Sequence, residues 1–160
     1  MSLPGALDDA DLTLLATLQE NARLSQSALG TRVKLSAAAV NRRVRRLTED
    51  GYISRTVAVL EPSLLGCPLT VIVQIEAVSE EVDRLDELSR SLVACPNVQQ
   101  CYYVTGEWDF VLVLLVRDMN QYRQLTRDLF LPSGNIKRFK TLVVMDRAKV
   151  GLDVPLVAPG

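Results

Sequence analysis

Leu35-Ser36-Ala37-Ala38-Ala39-Val40-Asn41-Arg42-Arg43-Val44-Arg45-Arg46-Leu47, followed by Asp50-Gly51-Tyr52-Ile53, decides how the first third of this 160-residue chain folds. Ser36 is placed to N-cap a helix by accepting backbone N–H bonds, and Leu35 before the cap is placed to pack on Val40 as a hydrophobic staple. Behind the cap, Val40, Val44 and Leu47 follow the spacing of a buried stripe, which turns Asn41, Arg42 and Arg45 outward. Small residues lead and arginines follow. That order suits a helix whose N-terminal end approaches base edges while its later turns offer cationic forks to phosphates. Arg43 and Arg46 lie nearer the buried edge, where their loss would also cost stability.

Eleven residues upstream the same device recurs, with Leu24 and Leu29 bracketing Ser25. Two capped helices in succession, the first running from about Gln26 to Val33, predict a helix-turn-helix. A further helix precedes them, with Asp8 as its N-cap, Leu12, Leu15 and Leu18 as its apolar stripe, and an end near Asn21. Gly51 can take the left-handed conformation that closes the third helix, and Tyr52 to Leu60 then reads as a wing-like or linking strand. Four arginines alone describe any solvated helix face. The capped helix that precedes them at helix-turn-helix spacing points instead to double-stranded DNA.

Composition narrows the function classes. A hydrophobic content of 48% excludes general disorder, and no apolar run approaches membrane-spanning length. Residues 1–10 carry acids and no base, so neither a secretion signal nor an anchor is expected and the reading is cytoplasmic. Cys67, Cys95 and Cys101 sit at spacings unlike metal or redox motifs, and are read as buried reduced thiols. The chain has no histidine, which removes the commonest metal ligand and general base. No catalytic residue, metal site or cofactor is predicted. Residues 1–60 hold eight basic and six acidic side chains, whereas residues 61–160 hold ten and thirteen. So modest a positive field favours dimers or larger assemblies, which multiply phosphate contacts.

Past the proline and glycine punctuation of residues 61–69 the pattern changes. In Thr70 to Val78, Val71, Val73, Ile75 and Ala77 alternate with Gln74 and Glu76, as in a half-buried strand. Ser79 to Val93 then reads as a helix burying Val82, Leu85, Leu88 and Leu92. Val98 to Val104 and Asp109 to Val116 form a hairpin around Thr105-Gly106-Glu107-Trp108. A second helix from Asp118 to about Phe130 buries Met119, Tyr122, Leu125 and Leu129, and a last strand covers Ile136 to Asp146. Strand-helix-strand is thus written twice, which predicts a ferredoxin-like βαββαβ sandwich. The strand Phe110 to Val116 is apolar at every position, so one side should meet these helices and the other a second subunit. The expected organisation is α+β: a DNA-binding domain over 1–60, a linker over 61–69, a second domain over 70–148, and a packing arm or loose tail over 149–160.

These motifs resemble the Lrp/AsnC, or feast/famine, transcriptional regulators over nearly the whole chain. The resemblance rests on Leu35-Ser36, Val40, Arg43-Val44, Arg46-Leu47, Gly51 and Ile53, on the turn Val104-Thr105-Gly106-Glu107-Trp108-Asp109, and on the closing Val143-Val144-Met145. It implies a winged-type helix-turn-helix domain joined to a ligand-sensing RAM domain. It also implies homodimers that build octamers or similar assemblies, and a small effector, an amino acid, held between subunits near the glycine turn. Carried onto this sequence, the DNA-binding set is Lys34, Ser36, Ala37, Ala38, Asn41, Arg42, Arg45 and Arg46. The effector-binding set is Tyr103, Val104, Thr105, Gly106, Glu107, Asp109, Gly134 and Asn135. Backbone N–H groups of the turn are suited to a carboxylate, and Glu107 or Asp109 to an ammonium group.

Two departures from the family pattern stand out. Lys34 replaces the usual turn glycine, which implies a less extreme backbone angle there and a charge near phosphate. Ser133-Gly134-Asn135-Ile136 replaces the usual Leu-Pro-Gly-Val. Two rival readings are an architectural DNA-wrapping protein without an effector and a tetrapyrrole-modifying enzyme of related architecture. Against the enzyme stand the missing histidine and the absence of a phosphate loop or nucleophile elbow.

Overall fold

In a computed structural model of the chain, which describes residues 6–156, two compact units form: residues to Val59 together with those from Val150, and Leu60–Lys149. The first unit is built from three helices, α1 (Asp9–Glu20), α2 (Gln26–Val33) and α3 (Ala37–Glu49). Each begins where a side chain satisfies an orphan N–H. The Asp8 carboxylate accepts from Asp11 N–H in a reciprocal capping box, Ser25 from Ala28 N–H, and Ser36 from Ala39 N–H. Leu14, Leu29 and Val40 are buried at the centre, with Leu18, Leu24, Val33, Leu35 and Val44 packed around them. Both expected staple pairs, Leu24 with Leu29 and Leu35 with Val40, thus belong to this one core. Gly51 holds φ +83° past the end of α3 and donates its N–H to Thr48.

Two expectations for this unit are corrected. Tyr52 to Leu60 forms no strand, because all four described strands lie in the second unit and none is available as a ladder partner. Lys34 does not relax: it sits in the left-handed well at φ 55°, ψ 41°, the one such well open to a side chain. Val154 exchanges two hydrogen bonds with the Gln19 amide of α1, at 2.7 and 3.1 Å. The end of the expected tail, residues 157–160, lies outside the described residues.

The second unit is a four-stranded antiparallel sheet with two helices. Its strands are β1 (Leu69–Ala77), β2 (Val98–Tyr103), β3 (Phe110–Val116) and β4 (Ile136–Val143), in the order β2-β3-β1-β4. With α4 (Val82–Ala94) after β1 and α5 (Met119–Leu125) after β3, this is the βαββαβ arrangement. Val71, Val73 and Ile75 of β1 and Phe110, Leu112, Leu114 and Val116 of β3 are buried on one face with Leu88, Leu92, Tyr122 and Phe130. On the other face Ile72, Val111, Val113 and Leu115 are only half-buried. Cys67, Cys95 and Cys101 are free thiols, partly rather than fully buried, and burial pushes the Cys101 thiol up.

The helices begin and end differently from expectation. α4 starts at Val82 rather than Ser79, since Ser79 is drawn into a turn: its Oγ accepts from Glu81 N–H and its backbone is tied to Asn135. Val82 and Met119, expected inside, are 71% and 43% exposed. Both stand in the first turn of their helix, where side chains tilt back past the helix start. After α5 the winding changes to a π turn over Thr126–Phe130 and a 3₁₀ turn over Leu131–Ser133. Pro132 cannot donate to Asp128 and its ring crowds that carbonyl, so an α-helix cannot continue. The ladder of β4 ends at Val143, short of Asp146.

Candidate functional site

Two sites are built, one in each unit. On α3, Ser36, Ala37, Ala38, Asn41, Arg42 and Arg45 are all exposed. Arg42 makes no hydrogen bond or ion pair among the described residues, while Arg45 Nε is spent on Glu49 at 2.7 Å, within its own helix. Lys34 stands exposed at the turn before them. Behind this face lies a network that composition did not reveal. Asp11, fully buried, accepts from Arg43 at 2.9 Å and from Arg46, and Arg43 also meets Asp8 at 2.7 Å. Asp8 is held below the ordinary carboxylate range, first by the Asp11 N–H and then by Arg43. Arg46, placed in the DNA-binding set, therefore ties α3 to α1 and is not free in the way Arg42 is. Gly30 is the other hidden requirement. A Cβ there would fall inside van der Waals contact of the Leu35 carbonyl oxygen, so only glycine lets α2 approach the turn this closely.

In the second unit, β2 and β3 pair through Tyr103 and Phe110, whose rings lie 5.3 Å apart. Val104 N–H donates to Asp109 C=O at 2.8 Å and closes the loop. Within it Thr105, Gly106 and Glu107 are exposed, and Gly106 adopts φ +130° with open space where a Cβ would be. Asp109 is partly committed: its Oδ2 accepts from Ala77 N–H at 2.7 Å, and its own N–H donates to Ile75 C=O at 2.8 Å. Asn135 is committed to Ser79 through both ends of its amide. Buried, it receives Ser79 N–H at 2.9 Å and donates to Ser79 C=O at 3.3 Å, while Gly134 beside it makes the turn at φ +63°. One cation joins the turn to β4. Arg138 Nη2 donates to Glu107 at 3.0 Å, its Nε donates to Glu76, and its Cζ lies 4.6 Å from the centroid of Trp108.

Residues 70–153 match the model of the Lrp/AsnC ligand binding domain, and residues 7–54 match a winged helix-turn-helix DNA-binding model. The chain belongs to the Lrp/AsnC family. It is 40% identical over 150 residues to an uncharacterized HTH-type transcriptional regulator of Sinorhizobium fredii, covering 94% of this chain and 89% of that one. It is 36% identical over 144 residues to the leucine-responsive regulatory protein of Haemophilus influenzae, covering 90% and 87%. Among solved structures, a transcriptional regulator of Neisseria meningitidis in complex with L-Met superposes with a TM-score of 0.88 at 27% identity, covering 94% and 97%.

An Lrp/AsnC chain with these two domains is a DNA-binding transcriptional regulator with a small-molecule ligand domain, and not an enzyme. The tetrapyrrole reading is thereby set aside. No helix among the described residues is long and apolar enough to cross a membrane. Sequence reasoning missed Asp11, Gly30 and Arg138. Only Asp11 left a signal, as an acid three residues after the Asp8 cap.

Proposed function

We propose that this regulator couples sequence-specific DNA binding to an amino-acid effector, and that it works in the cytoplasm as a homodimer that builds a larger assembly. The observation that carries the reading is the unpaired Arg42 on a capped, outward-facing helix, in a chain whose other unit offers an open glycine turn. On this reading Ser36, Ala37, Ala38 and Asn41 approach base edges, and Lys34, Arg42 and Arg45 meet phosphates or guanine edges. The effector lies against Tyr103, Val104, Thr105, Gly106, Glu107 and Asp109. Subunits meet through the half-buried sheet face of Ile72, Val111, Val113 and Leu115, since an apolar face of this kind calls for a partner. Support comes from relatives named as leucine-responsive and from the L-Met complex of the Neisseria regulator.

A thermal-shift screen against the twenty amino acids tests the effector. A ligand present at about 100 Kd adds roughly 2.7 kcal/mol of stability, so at least one amino acid is expected to raise the melting temperature of the full chain. If none does, the architectural reading, DNA wrapping without a metabolite, replaces this one.

A further inference from the structure

The four arginines of α3 are not equivalent. Arg42 has no partner among the described residues and Arg45 is paired with Glu49, while Arg43 and Arg46 converge on Asp11 of α1. Both oxygens of that fully buried carboxylate are occupied. Oδ1 accepts from Arg43 at 2.9 Å, and Oδ2 accepts from Arg46 and from Asp8 N–H at 3.3 Å. Asp8 completes the group by accepting from Arg43 at 2.7 Å. Two carboxylates thus face two guanidiniums, and the local charge cancels.

Capping α1 does not require this charge, because a capping box can be built from Ser or Thr with Gln. Stability does not require it either, since a buried ion pair is often matched or bettered by apolar residues of similar volume. What the carboxylate does settle is where the cations go. Arg46 follows Arg42 by four residues, so the two are neighbours on one strip of α3, and the Arg46 side chain is 44% exposed. An unengaged Arg46 would be offered to the same stretch of duplex as Arg42. Such a cation strengthens binding to every sequence alike, because phosphates carry no sequence information. With eight basic and six acidic side chains in residues 1–60, one cation held or released is a large share of the net charge there. We infer that Asp11 is a positioning residue for sequence-specific DNA binding: it holds Arg46, with Arg43, back from the phosphates and fixes that edge of α3 to α1. Contacts along the Arg42 strip, rather than the total charge of α3, then set the preference among sequences. The inference rests on α3 as the DNA-contacting helix and goes beyond it, by giving a buried acid that meets no DNA a part in specificity.

The test follows binding of the full chain over a salt series, to a duplex selected from a random pool and to the unselected pool, with circular dichroism to confirm folding. Asp11→Asn keeps the size of the side chain and removes the charge that holds the arginines. It is expected to steepen the logarithmic salt slope by about 1 per binding domain and to cut the preference for the selected duplex by about threefold or more. Arg46→Gln added to that variant should reverse the change in slope, whereas in wild type it should move the slope less than half as far. Asp11→Glu, which keeps the charge, should stay closer to wild type than Asp11→Asn in both readouts. Should Asp11→Asn not fold, Arg46→Gln in wild type decides alone.

A folded Asp11→Asn protein with a lower melting temperature but an unchanged or shallower slope and an unchanged preference makes Asp11 structural only and overturns the inference. So does a slope lowered by about 1 per binding domain on Arg46→Gln in wild type, because Arg46 then meets phosphate already. Either result leaves α3 standing as the helix that meets DNA. If Arg42→Ala, Arg46→Gln and Asp11→Asn all bind both duplexes as wild type does, α3 does not meet DNA and both readings fall. The same holds if wild type selects no sequence.

Discussion

Lys34 occupies a backbone conformation that costs a side chain roughly 1–2 kcal/mol, and it does so at the tightest point of the helix-turn-helix. Lys34→Gly is therefore expected to stabilise the first unit by about 0.5–1 kcal/mol after the larger entropy loss of glycine, while removing a cation from the face proposed to meet DNA. Chemical denaturation checks the first effect and binding at two salt concentrations the second. The ion networks of the two units carry a pH signature. Asp8 and Glu76 are both held below the ordinary carboxylate range, Asp8 by the Asp11 N–H and Arg43, Glu76 by Lys137 and Arg138. For a depressed folded pKa the stabilisation is fully present above the unfolded value, about 4, and is lost as the pH falls through the folded one. The urea midpoint should hold from pH 7 to about pH 5 and fall below about pH 4, and Asp8→Asn should shrink that fall. A midpoint in the variant that falls as far as in wild type would remove Asp8 from the account.

The packing of α2 against the turn hinges on Gly30. Gly30→Ala drives a methyl group into the Leu35 carbonyl, which is backbone and cannot swing aside, so a loss of about 1–3 kcal/mol is expected in a melting experiment. An unchanged melting temperature would mean that α2 and α3 are not joined as closely as described. These helices were legible in the sequence because a cap is a local interaction: Asp8, Ser25 and Ser36 each bond a residue three positions on. The second unit was legible because the end of β1 alternates between apolar and polar positions and α4 repeats its apolar residues at helical spacing. What escaped was whatever depends on partners far along the chain. Arg138 meets Glu76 across 62 residues, and only the β1–β4 register with its irregularity at Glu76 brings Lys137 and Arg138 to the same carboxylate. The commitment of Asn135 to Ser79, across 56 residues, was hidden for the same reason. The strand expected at Tyr52 to Leu60 failed from the opposite cause, since a favourable local pattern finds no strand in its own unit among the described residues.

At the scale of the molecule, assembly and DNA binding are the consequences to measure. Val113 stands at the middle of the half-buried sheet face, opposite Ile72, so Val113→Asp would place a charge in the proposed subunit interface. Light scattering should give wild type a mass of at least twice 17.7 kDa at micromolar concentration and the variant a smaller one. A monomeric wild type would contradict the assembly. The central claim is that α3 reads DNA with Arg42 as its free cation. Selection from a random duplex pool, followed by titration of the enriched duplex over a salt series with wild type and Arg42→Ala, tests it most directly. Wild type should enrich one sequence and lose affinity steeply with salt. Arg42→Ala should either lower the logarithmic salt slope by about 1 per binding domain, if it meets phosphate, or relax the preference at one base position, if it meets an edge. No enrichment by wild type, or identical isotherms and preferences for the two folded proteins, would contradict the account.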